Sequence, residues 1–230
     1  MLFFPLSTVT KMLFPEVCRL CGKELSSAGR VLCPDCSTKI HPLCGERCTR
    51  CGRLLISAGV MCLSCRTKSY LFASNVPIFP YSDPFKTLFL RYKFGGDRKL
   101  GSWLAELTAD FMVMHPPDGP IVPVPGNPKS IRKRGWDQVG YIAQFLQKRY
   151  GYTVLPILKR KKSKQQKTLG FSERSGNIRG KIGLIRHTKS PKNVVLFDDI
   201  FTTGATAQEC TRVLLSNGTA QVRVVTLAID

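Results

Sequence analysis

The sequence predicts a mainly parallel α/β sheet with helices on both faces, preceded by a small module of four-cysteine zinc ribbons. Two patterns indicate this architecture. Eight of the ten cysteines fall in four Cys-x-x-Cys pairs before residue 66, and after Tyr70 short apolar runs alternate with stretches of helical period. Because alternating strands and helices favour a parallel sheet, a ligand is expected beyond the carboxyl ends of the strands. We therefore divide the chain into residues 1–70, an N-terminal segment with a double zinc ribbon, and residues 71–230, the α/β domain.

The N-terminal segment, residues 1–15, is apolar but lacks the basic start and the small-residue cleavage site of a signal peptide, and Lys11 interrupts it. No window of 18 apolar residues occurs in the chain, so nothing is expected to span a membrane. We expect a cytoplasmic protein in which this segment serves for docking, and which reaches the inner face of a membrane only through partner proteins.

The cysteine spacing predicts two structural zinc ions. Each Cys-x-x-Cys turn presents two thiolates to one ion, and two such turns complete a tetrahedral site that has no open position for chemistry. The pattern argues against disulfides and against a redox role. It leaves open whether the pairs bind sequentially or interleave, and whether His41 or Cys44 substitutes as a ligand. The expected ligands are Cys18, Cys21, Cys33, Cys36, Cys48, Cys51, Cys62 and Cys65.

The first half of the α/β domain is expected to hold two strands and two helices. Val76 to Tyr81 forms a strand, and Asp83-Pro84 begins a helix that continues to Phe94. A second amphipathic helix covers residues 100–114, and a strand covers residues 121–125. The prolines of that strand predict an irregular loop over residues 126–135. The basic residues of this loop are Lys129, Arg132, Lys133 and Arg134.

The second half continues with a helix from Trp136 to Tyr150 and a strand from Thr153 to Leu158. A run of like charges then predicts a mobile loop from Lys159 to Lys167. Two further strands, near residues 182–186 and 222–229, are expected to flank the strand at residues 194–197. The basic residues of the loop are Lys159, Arg160, Lys161, Lys162, Lys164 and Lys167.

The motif from Val194 to Thr206 organises the domain. Four apolar residues predict a buried strand, Asp198 and Asp199 end it, and a Thr/Gly turn opens a helix from Thr206 to Ser216. The free N–H groups of such a turn and the helix dipole suit a phosphate, and Gly204 allows close approach of the backbone. Carboxylates instead accept hydrogen bonds from ribose hydroxyls or face a metal ion. The pattern therefore indicates a sugar phosphate bound at both ends.

Two other interpretations fit parts of this motif. It fits an ordinary buried strand with an Asp-rich turn and a capped helix. It also fits the acidic strand end of a P-loop ATPase, but that fold needs a G-x-x-x-x-G-K-[ST] loop, which the sequence lacks.

The charge distribution predicts a polyanionic partner. The formal net charge is +20, and residues 129–192 hold 18 Lys and Arg against only Asp137 and Glu173. Such an excess of positive charge is more often used to bind nucleic acid or an acidic surface than a single small ligand. A basic surface that is merely solvated has the same composition. We expect single-stranded DNA to bind this region, mainly through the loop at Lys159–Lys167. If the loop does not hold DNA, it is expected to close over the sugar phosphate as a lid.

The motif at residues 194–206 resembles the phosphoribosyl-pyrophosphate (PRPP) motif of type I phosphoribosyltransferases over its whole length. The resemblance implies a phosphoribosyltransferase-like fold and Mg²⁺ bound with PRPP. It also implies that Asp198 and Asp199, as the catalytic carboxylates, contact the ribose hydroxyls. Thr202, Thr203, Gly204, Ala205 and Thr206 would then surround the 5′-phosphate. We expect Arg132, Lys133 and Arg134 to bind the diphosphate, with Arg174 in a lesser role.

The combination of zinc ribbons with this domain resembles the ComF family of competence proteins over nearly the whole chain. Two further signatures carry the resemblance. One is a proline-flanked strand followed by Arg134-Gly135-Trp136-Asp137-Gln138, where Asp137 replaces the usual asparagine. The other signature, Q-x-x-L…R-x-x-N, is matched by Gln166, Leu169, Arg174 and Asn177. The Gly-Ala-Phe that commonly follows it is replaced here by Gly180-Lys181-Ile182.

The resemblance implies a role in uptake and handling of single-stranded DNA during natural transformation, with PRPP or a related nucleotide as ligand. Other competence or DNA-translocation proteins would be its partners. The alternative is an active phosphoribosyltransferase that acts on a nitrogen acceptor in nucleotide metabolism. No group of residues in the sequence marks a pocket for such an acceptor. The fold does not supply the answer either, since one fold can host many functions.

Overall fold

The computed structural model describes residues 16–27, 29–56, 59–160 and 178–230. Several residues singled out above lie outside the described residues. They are the docking segment 1–15, the loop residues Lys161, Lys162, Lys164 and Lys167, and the signature residues Gln166, Leu169, Arg174 and Asn177.

The N-terminal module consists of two ribbons with the same design. Each begins with a Cys-x-x-Cys turn closed by an antiparallel bridge, Val17 to Glu24 in ribbon 1 and Arg47 to Leu54 in ribbon 2. The second cysteine pair of each ribbon begins a short helix, α1 (Pro34–Ser37) or α2 (Leu63–Thr67). The internal repeat of the sequence is therefore a structural repeat.

The core of the α/β domain is a four-stranded parallel sheet. Its strands are β1 (Ser74–Pro80), β2 (Ile121–Pro123), β5 (Asn193–Phe201) and β6 (Gln221–Ile229), in the spatial order β1-β6-β5-β2. All three neighbouring pairs are parallel. The prediction of a mainly parallel sheet is confirmed.

Helices cover both faces of this sheet, as predicted. Apolar residues of α3 (Phe85–Gly95), α4 (Arg98–Met114) and α6 (Gln138–Tyr150) form one core with the sheet side chains Ile121, Val195 and Phe197. On the opposite face α7 (Ala205–Leu215) packs against side chains such as Leu196 and Val224. No helix in the described part of the chain is both long and apolar enough to cross a membrane.

Ribbon 2 covers the free edge of β1. The amide of Asn75 donates to Arg50 O at 2.8 Å, and the amide of Leu43, in the segment just before ribbon 2, donates to Ile78 O at 2.8 Å. Gly52 lies so close to the strand that a Cβ there would be 2.2 Å from Pro77 Cδ. Exposed strand edges invite pairing with other chains, and here the ribbon occupies that edge.

Five expectations about single elements were wrong. Residues 126–135 are not irregular, because they contain α5 (Pro128–Arg134), which Asn127 caps by accepting from Lys129 N at 3.0 Å. The expected strand at residues 153–158 is reduced to a bridge between Val154 and Ile121. Lys159 and Arg160 belong to β3 (Leu158–Arg160) rather than to a loop.

The fourth error concerns the neighbours of β5. The segment near residues 182–186 forms β4 (Ile182–Leu184), which pairs antiparallel with β3 outside the main sheet. The strands that flank β5 are β2 and β6. In addition, β5 continues to Phe201, so Asp198 and Asp199 lie within the strand and not in the following turn.

Candidate functional site

The turn between β5 and α7 is shaped to bring backbone close to a ligand. Gly204 has φ +77°, and a Cβ there would lie 2.7 Å from Phe201 Cζ and 2.8 Å from Tyr70 Cε1. Only glycine fits both the left-handed backbone and the space. Thr202 and Thr203 are exposed, and the N-terminus of the eleven-residue helix α7 follows directly. Free amides and the positive end of the helix dipole make this turn suitable for a phosphate.

The two carboxylates lie at the carboxyl end of β5 and are half-buried. Asp198 Oδ1 accepts from Asp199 N at 2.8 Å, which fixes its orientation. Burial raises the pKa of Asp198 well above its usual value, and the negative charge of Asp199 adds to the rise. A cation brought to this position would favour the ionised form, because an opposite charge stabilises a carboxylate.

Lys93, at the end of α3, is a site residue that the sequence did not indicate. Its Nζ lies 2.7 Å from Asp199 Oδ2. The carbonyl oxygen of Lys93 accepts from Gln138 Nε2 at 3.2 Å, which ties the end of α3 to the start of α6. This ion pair joins residues 106 positions apart in the sequence, so no local pattern could have revealed it.

Three of the predicted diphosphate-binding residues, Arg132, Lys133 and Arg134, lie on α5, which follows β2, whereas Arg174 lies outside the described residues. Arg132 and Lys133 are exposed, whereas Arg134 is half-buried. Arg134 Nε is buried and has no hydrogen-bond partner among the described residues. A buried donor without a partner is costly, so an anion at this position would satisfy it.

Arg160 was predicted to contact DNA from a loop, but it lies inward on β3. Its Nε donates to Pro125 O at 3.0 Å. Its positive charge lowers the pKa of Asp198, although it does not outweigh burial. Arg160 therefore belongs to the surroundings of the carboxylates.

Tyr70 connects ribbon 2 to the phosphate turn and was also missed. Its hydroxyl donates to Thr203 O at 3.1 Å, and its ring stacks on Phe72 with centroids 4.7 Å apart. The next residue, Leu71, donates its amide to Gln208 Oε1 of α7 at 2.8 Å. A tyrosine at the boundary between two sequence regions gave no signal of this role.

The eight predicted zinc ligands form two clusters. Within each cluster the ligand atoms all lie within 4.8 Å of one another. The distance between Cys21 Sγ and Cys33 Sγ is 3.8 Å, and that between Cys51 Sγ and Cys62 Sγ is 3.7 Å. A tetrahedral Zn²⁺ with Zn–S bonds of about 2.3 Å separates its sulfurs by about 3.8 Å. The clusters therefore fit zinc, with sequential rather than interleaved pairing.

The environment of the first cysteine in each cluster also suits a metal. Burial opposes ionisation of Cys18, but backbone N–H donors outweigh it and lower its pKa to about 6. The pKa of Cys48 is lowered to about 6 in the same way. His41 and Cys44 belong to neither cluster in the described residues. The cysteine sets as arranged suit two structural zinc ions.

Comparisons with known proteins agree with this structure. Residues 9–66 match the family described as Double zinc ribbon domain. The chain is 26% identical to the competence protein ComFC of Bacillus subtilis over 89% of this chain and 90% of that protein. It is 29% identical to competence protein F of Haemophilus influenzae over 92% of this chain and 96% of that protein. The chain is related to the ComF competence proteins.

A further relative of this chain bears a different name. The DNA utilization protein YhgH of Escherichia coli is 26% identical over 91% of this chain and 95% of that protein. These alignments span the ribbons and the sheet domain together. The ComF resemblance inferred from the sequence is therefore confirmed.

Two solved structures are also similar to part of the chain. An allosteric regulatory enzyme of purine biosynthesis aligns with a TM-score of 0.42 and 18% identity over 60% of this chain and 30% of its own. Hypoxanthine phosphoribosyltransferase from Trypanosoma cruzi aligns with a TM-score of 0.30 and 14% identity over 56% of this chain and 74% of its own.

The structure also explains how this chain accommodates its departure from the ComF signature at Asp137. Asp137 is the N-cap of α6, and its Oδ1 accepts from Gly140 N at 3.3 Å. Asparagine and aspartate cap helices about equally well. The substitution therefore keeps the cap and changes only the charge next to Arg134.

Proposed function

We propose that this chain binds PRPP together with Mg²⁺ at Asp198–Thr206 and handles single-stranded DNA during natural transformation. The observation that carries the proposal is the placement of the phosphate turn beside two carboxylates at the end of one strand. A phosphate suits the backbone amides of the turn at residues 202–206, of which the Ala205 amide donates to Thr203 Oγ1 at 3.4 Å. Ribose hydroxyls suit the acceptor oxygens of Asp198 and Asp199. A sugar phosphate offers both groups in one molecule.

The diphosphate of PRPP would lie toward Arg134, whose buried Nε has no partner among the described residues. Asp198 and Asp199 would hold Mg²⁺ together with the ligand oxygens, since hard cations prefer carboxylate ligands. The ion would neutralise the diphosphate. Lys93 already pairs with Asp199, so ligand binding must rearrange or share this contact.

The DNA part of the proposal rests on the basic region and on the relatives. Lys129, Arg132 and Lys133 are exposed on α5, and Lys148 and Arg149 are exposed at the end of α6. The relatives are named for competence and for DNA utilization. Phosphate contacts from such residues bind nucleic acid with little sequence preference.

The salt dependence of binding tests this proposal. For single strands, log K falls with log salt by about 0.7 per neutralised phosphate. Replacing Lys161, Lys162, Lys164 and Lys167 by Gln should therefore reduce the slope by up to about 3. A control variant replaces the exposed Lys23, Lys39, Lys68 and Lys86, which removes the same charge elsewhere. If the two variants have equal slopes, the loop does not hold DNA and serves as a lid over PRPP.

The second candidate is an active phosphoribosyltransferase with PRPP as donor. The observation that favours it is a cavity beside the end of β2, the strand next to β5 in the sheet. Diphosphate release from PRPP with a panel of nitrogen heterocycles tests it, because a transferase turns over only with its acceptor. If the protein binds PRPP but releases diphosphate with none of the heterocycles, the transferase proposal is refuted and the first proposal stands.

A further inference from the structure

Ribbon 2 is bonded to the phosphate turn at residues 202–206 through the segment that follows its last cysteine. Cys65 lies in α2, and Tyr70 comes three residues after this helix ends. The Tyr70 hydroxyl donates to Thr203 O at 3.1 Å. Its ring lies so close to the turn that a Cβ at Gly204 would be 2.8 Å from Tyr70 Cε1. The position of α2 therefore influences the position of the backbone that would hold a phosphate.

A second, buried connection runs from the first cysteine pair of ribbon 2 to the carboxylates. Cys51 O accepts from Asn75 Nδ2 at 2.9 Å, and Asn75 Oδ1 accepts from Thr226 Oγ1 at 3.4 Å. Thr226 lies opposite Asp198 in the register of β5 and β6. Both Asn75 and Thr226 are buried. Because buried polar groups are costly to leave without partners, these hydrogen bonds hold Cys51 in place relative to Asp198.

Ribbon 1 is attached to a different part of the domain. Arg19 Nε donates to Asp97 Oδ2 at 2.7 Å at the start of α4, and Arg91 Nη1 of α3 donates to Arg19 O at 2.7 Å. Within the residues that the structure describes, no hydrogen bond or ion pair joins ribbon 1 to the phosphate turn or to β5. Its buried cysteines share a core with α4, whereas Cys51 and Cys65 share a core with α7. Only the second of the two repeated ribbons contacts the candidate site.

A zinc ion in ribbon 2 would hold the two connections in one geometry. Cys51 belongs to the first cysteine pair, and Tyr70 follows the helix that carries Cys65. An ion bound by all four thiolates fixes both segments at Zn–S distances of about 2.3 Å. Binding of a structural zinc ion is coupled to folding of its ligands. Without the ion, the two segments are free to move apart, and the phosphate turn loses a rigid support.

We propose that zinc binding at ribbon 2, and not at ribbon 1, is thermodynamically linked to PRPP binding at the phosphate turn. This inference rests on the proposed function, which names the ligand, and deepens it by giving the same site a regulator. Linkage is reciprocal, so PRPP raises the zinc affinity of ribbon 2 by the factor by which zinc raises the PRPP affinity. Such couplings typically amount to about 5- to 150-fold.

Competition for zinc with a chelator that does not bind Mg²⁺ measures the linkage. Cys33→Ser and Cys62→Ser form a matched pair, because each residue is the N-cap of the short helix of its ribbon and has φ −70°. Each variant removes one ligand and leaves the zinc site of the other ribbon intact. Saturating PRPP with Mg²⁺ should raise the zinc affinity of ribbon 2 in Cys33→Ser by about 5- to 150-fold. It should leave the zinc affinity of ribbon 1 in Cys62→Ser unchanged.

Hydrogen exchange tests the connection without PRPP. The amides of residues 201–208 should exchange faster in Cys62→Ser than in Cys33→Ser, whereas the amides of β2 should exchange equally in both variants. Faster exchange throughout the chain would instead indicate that Cys62→Ser does not fold.

A tyrosine pair decides the matter if that variant does not fold. Tyr70→Phe added to Cys33→Ser removes the bond to Thr203 O and should reduce the effect of PRPP on the zinc affinity of ribbon 2. Tyr150→Phe in the same background changes a tyrosine at the end of α6 and should leave the effect as it was. Equal effects of the two tyrosine variants would refute the connection through Tyr70.

Separate measurements distinguish the linkage from the proposed function. Calorimetry with PRPP and Mg²⁺ on the parent protein shows whether the ligand binds. If PRPP binds but raises the zinc affinity of both ribbons equally, or of neither, the linkage is refuted and the proposed function stands. If PRPP does not bind, the proposed function fails and the linkage to PRPP fails with it. In either case, equal exchange of residues 201–208 in the two cysteine variants would refute the connection between ribbon 2 and the turn.

Discussion

Lys93 Nζ lies 2.7 Å from Asp199 Oδ2, and both side chains are about one-fifth exposed. The pair places a cation beside two adjacent carboxylates. Burial and the negative charge of Asp199 raise the pKa of Asp198. Without Lys93, the repulsion between the two negative charges would be less compensated. The lysine therefore stabilises the ligand-free site electrostatically.

Replacing Lys93 by Gln should lower the free energy of unfolding by about 1–3 kcal/mol, because a partly buried carboxylate loses its partner. Chemical denaturation measures the change, with Lys86→Gln on the exposed face of the same helix as the control. In an Asp199→Asn background the effect of Lys93→Gln should shrink, since the partner is already neutral. Equal effects in both backgrounds would show that the ion pair is not the cause.

Asp198→Asn should make the ligand-free protein more stable at neutral pH while removing PRPP binding. The folded protein holds a proton on Asp198 more tightly than the unfolded chain, whose carboxyl pKa is about 3.9. Ionisation of Asp198 therefore reduces stability as the pH rises from that value through the raised folded pKa. The stability advantage of the variant should grow over this range and vanish below it.

Denaturant unfolding across the acidic and neutral range measures this difference, and calorimetry measures PRPP binding. Asp110→Asn, at an exposed position on α4, is the control and should show no such trend. A parent protein that is more stable than the Asp198→Asn variant at neutral pH would contradict the prediction.

Tyr70→Phe should weaken PRPP binding roughly two- to tenfold, the effect of one hydrogen bond of about 0.5–1.5 kcal/mol. The variant loses the bond to Thr203 O but keeps the ring that packs on Phe72 and against Gly204. Titration calorimetry compares it with Tyr150→Phe, which changes a tyrosine at the end of α6. Unchanged affinity in Tyr70→Phe would mean that the ring alone positions the turn.

Gly52→Ala should destabilise the protein by about 1–3 kcal/mol more than Gly22→Ala, because the added methyl group overpacks a tight contact. Both glycines have φ +77° and follow the first cysteine pair of a ribbon. Only at Gly52 would a Cβ meet β1, since nothing lies within 4 Å of Gly22. Unfolding at saturating zinc measures both, and equal losses would refute a tight fit between ribbon 2 and the strand.

The sequence predicted those features that depend on local spacing. The Cys-x-x-Cys pairs identified all eight cysteines of the two clusters, although not which pairs share a cluster. A run of apolar residues located β5 and a helical period located α7 within a few residues, and β6 lies where the strand at residues 222–229 was expected. The capped start of α5 at Asn127-Pro128 is present in the sequence, but the nearby Pro123 and Pro125 favour an irregular loop.

Features that depend on tertiary contacts could not be predicted. The Lys93–Asp199 pair spans 106 positions, and Tyr70 meets Thr203 across 133 positions. Lys159 and Arg160 belong to a strand rather than to the expected loop, because they pair with Gly183 and Ile182 of β4. The cavity beside β2 draws on α4, α6 and two loops, so no single segment indicates it.

The attachment of ribbon 2 to β1 has a consequence for biosynthesis. β1 leaves the ribosome long before β6, the strand that must later pair with its inner edge. Until then the nascent chain would present a strand with two open edges, a common starting point for misassembly with neighbouring chains. Ribbon 2 is translated first and, once metallated, can cover one edge at once. The order of the elements in the gene therefore lets the metal-binding module protect the growing sheet.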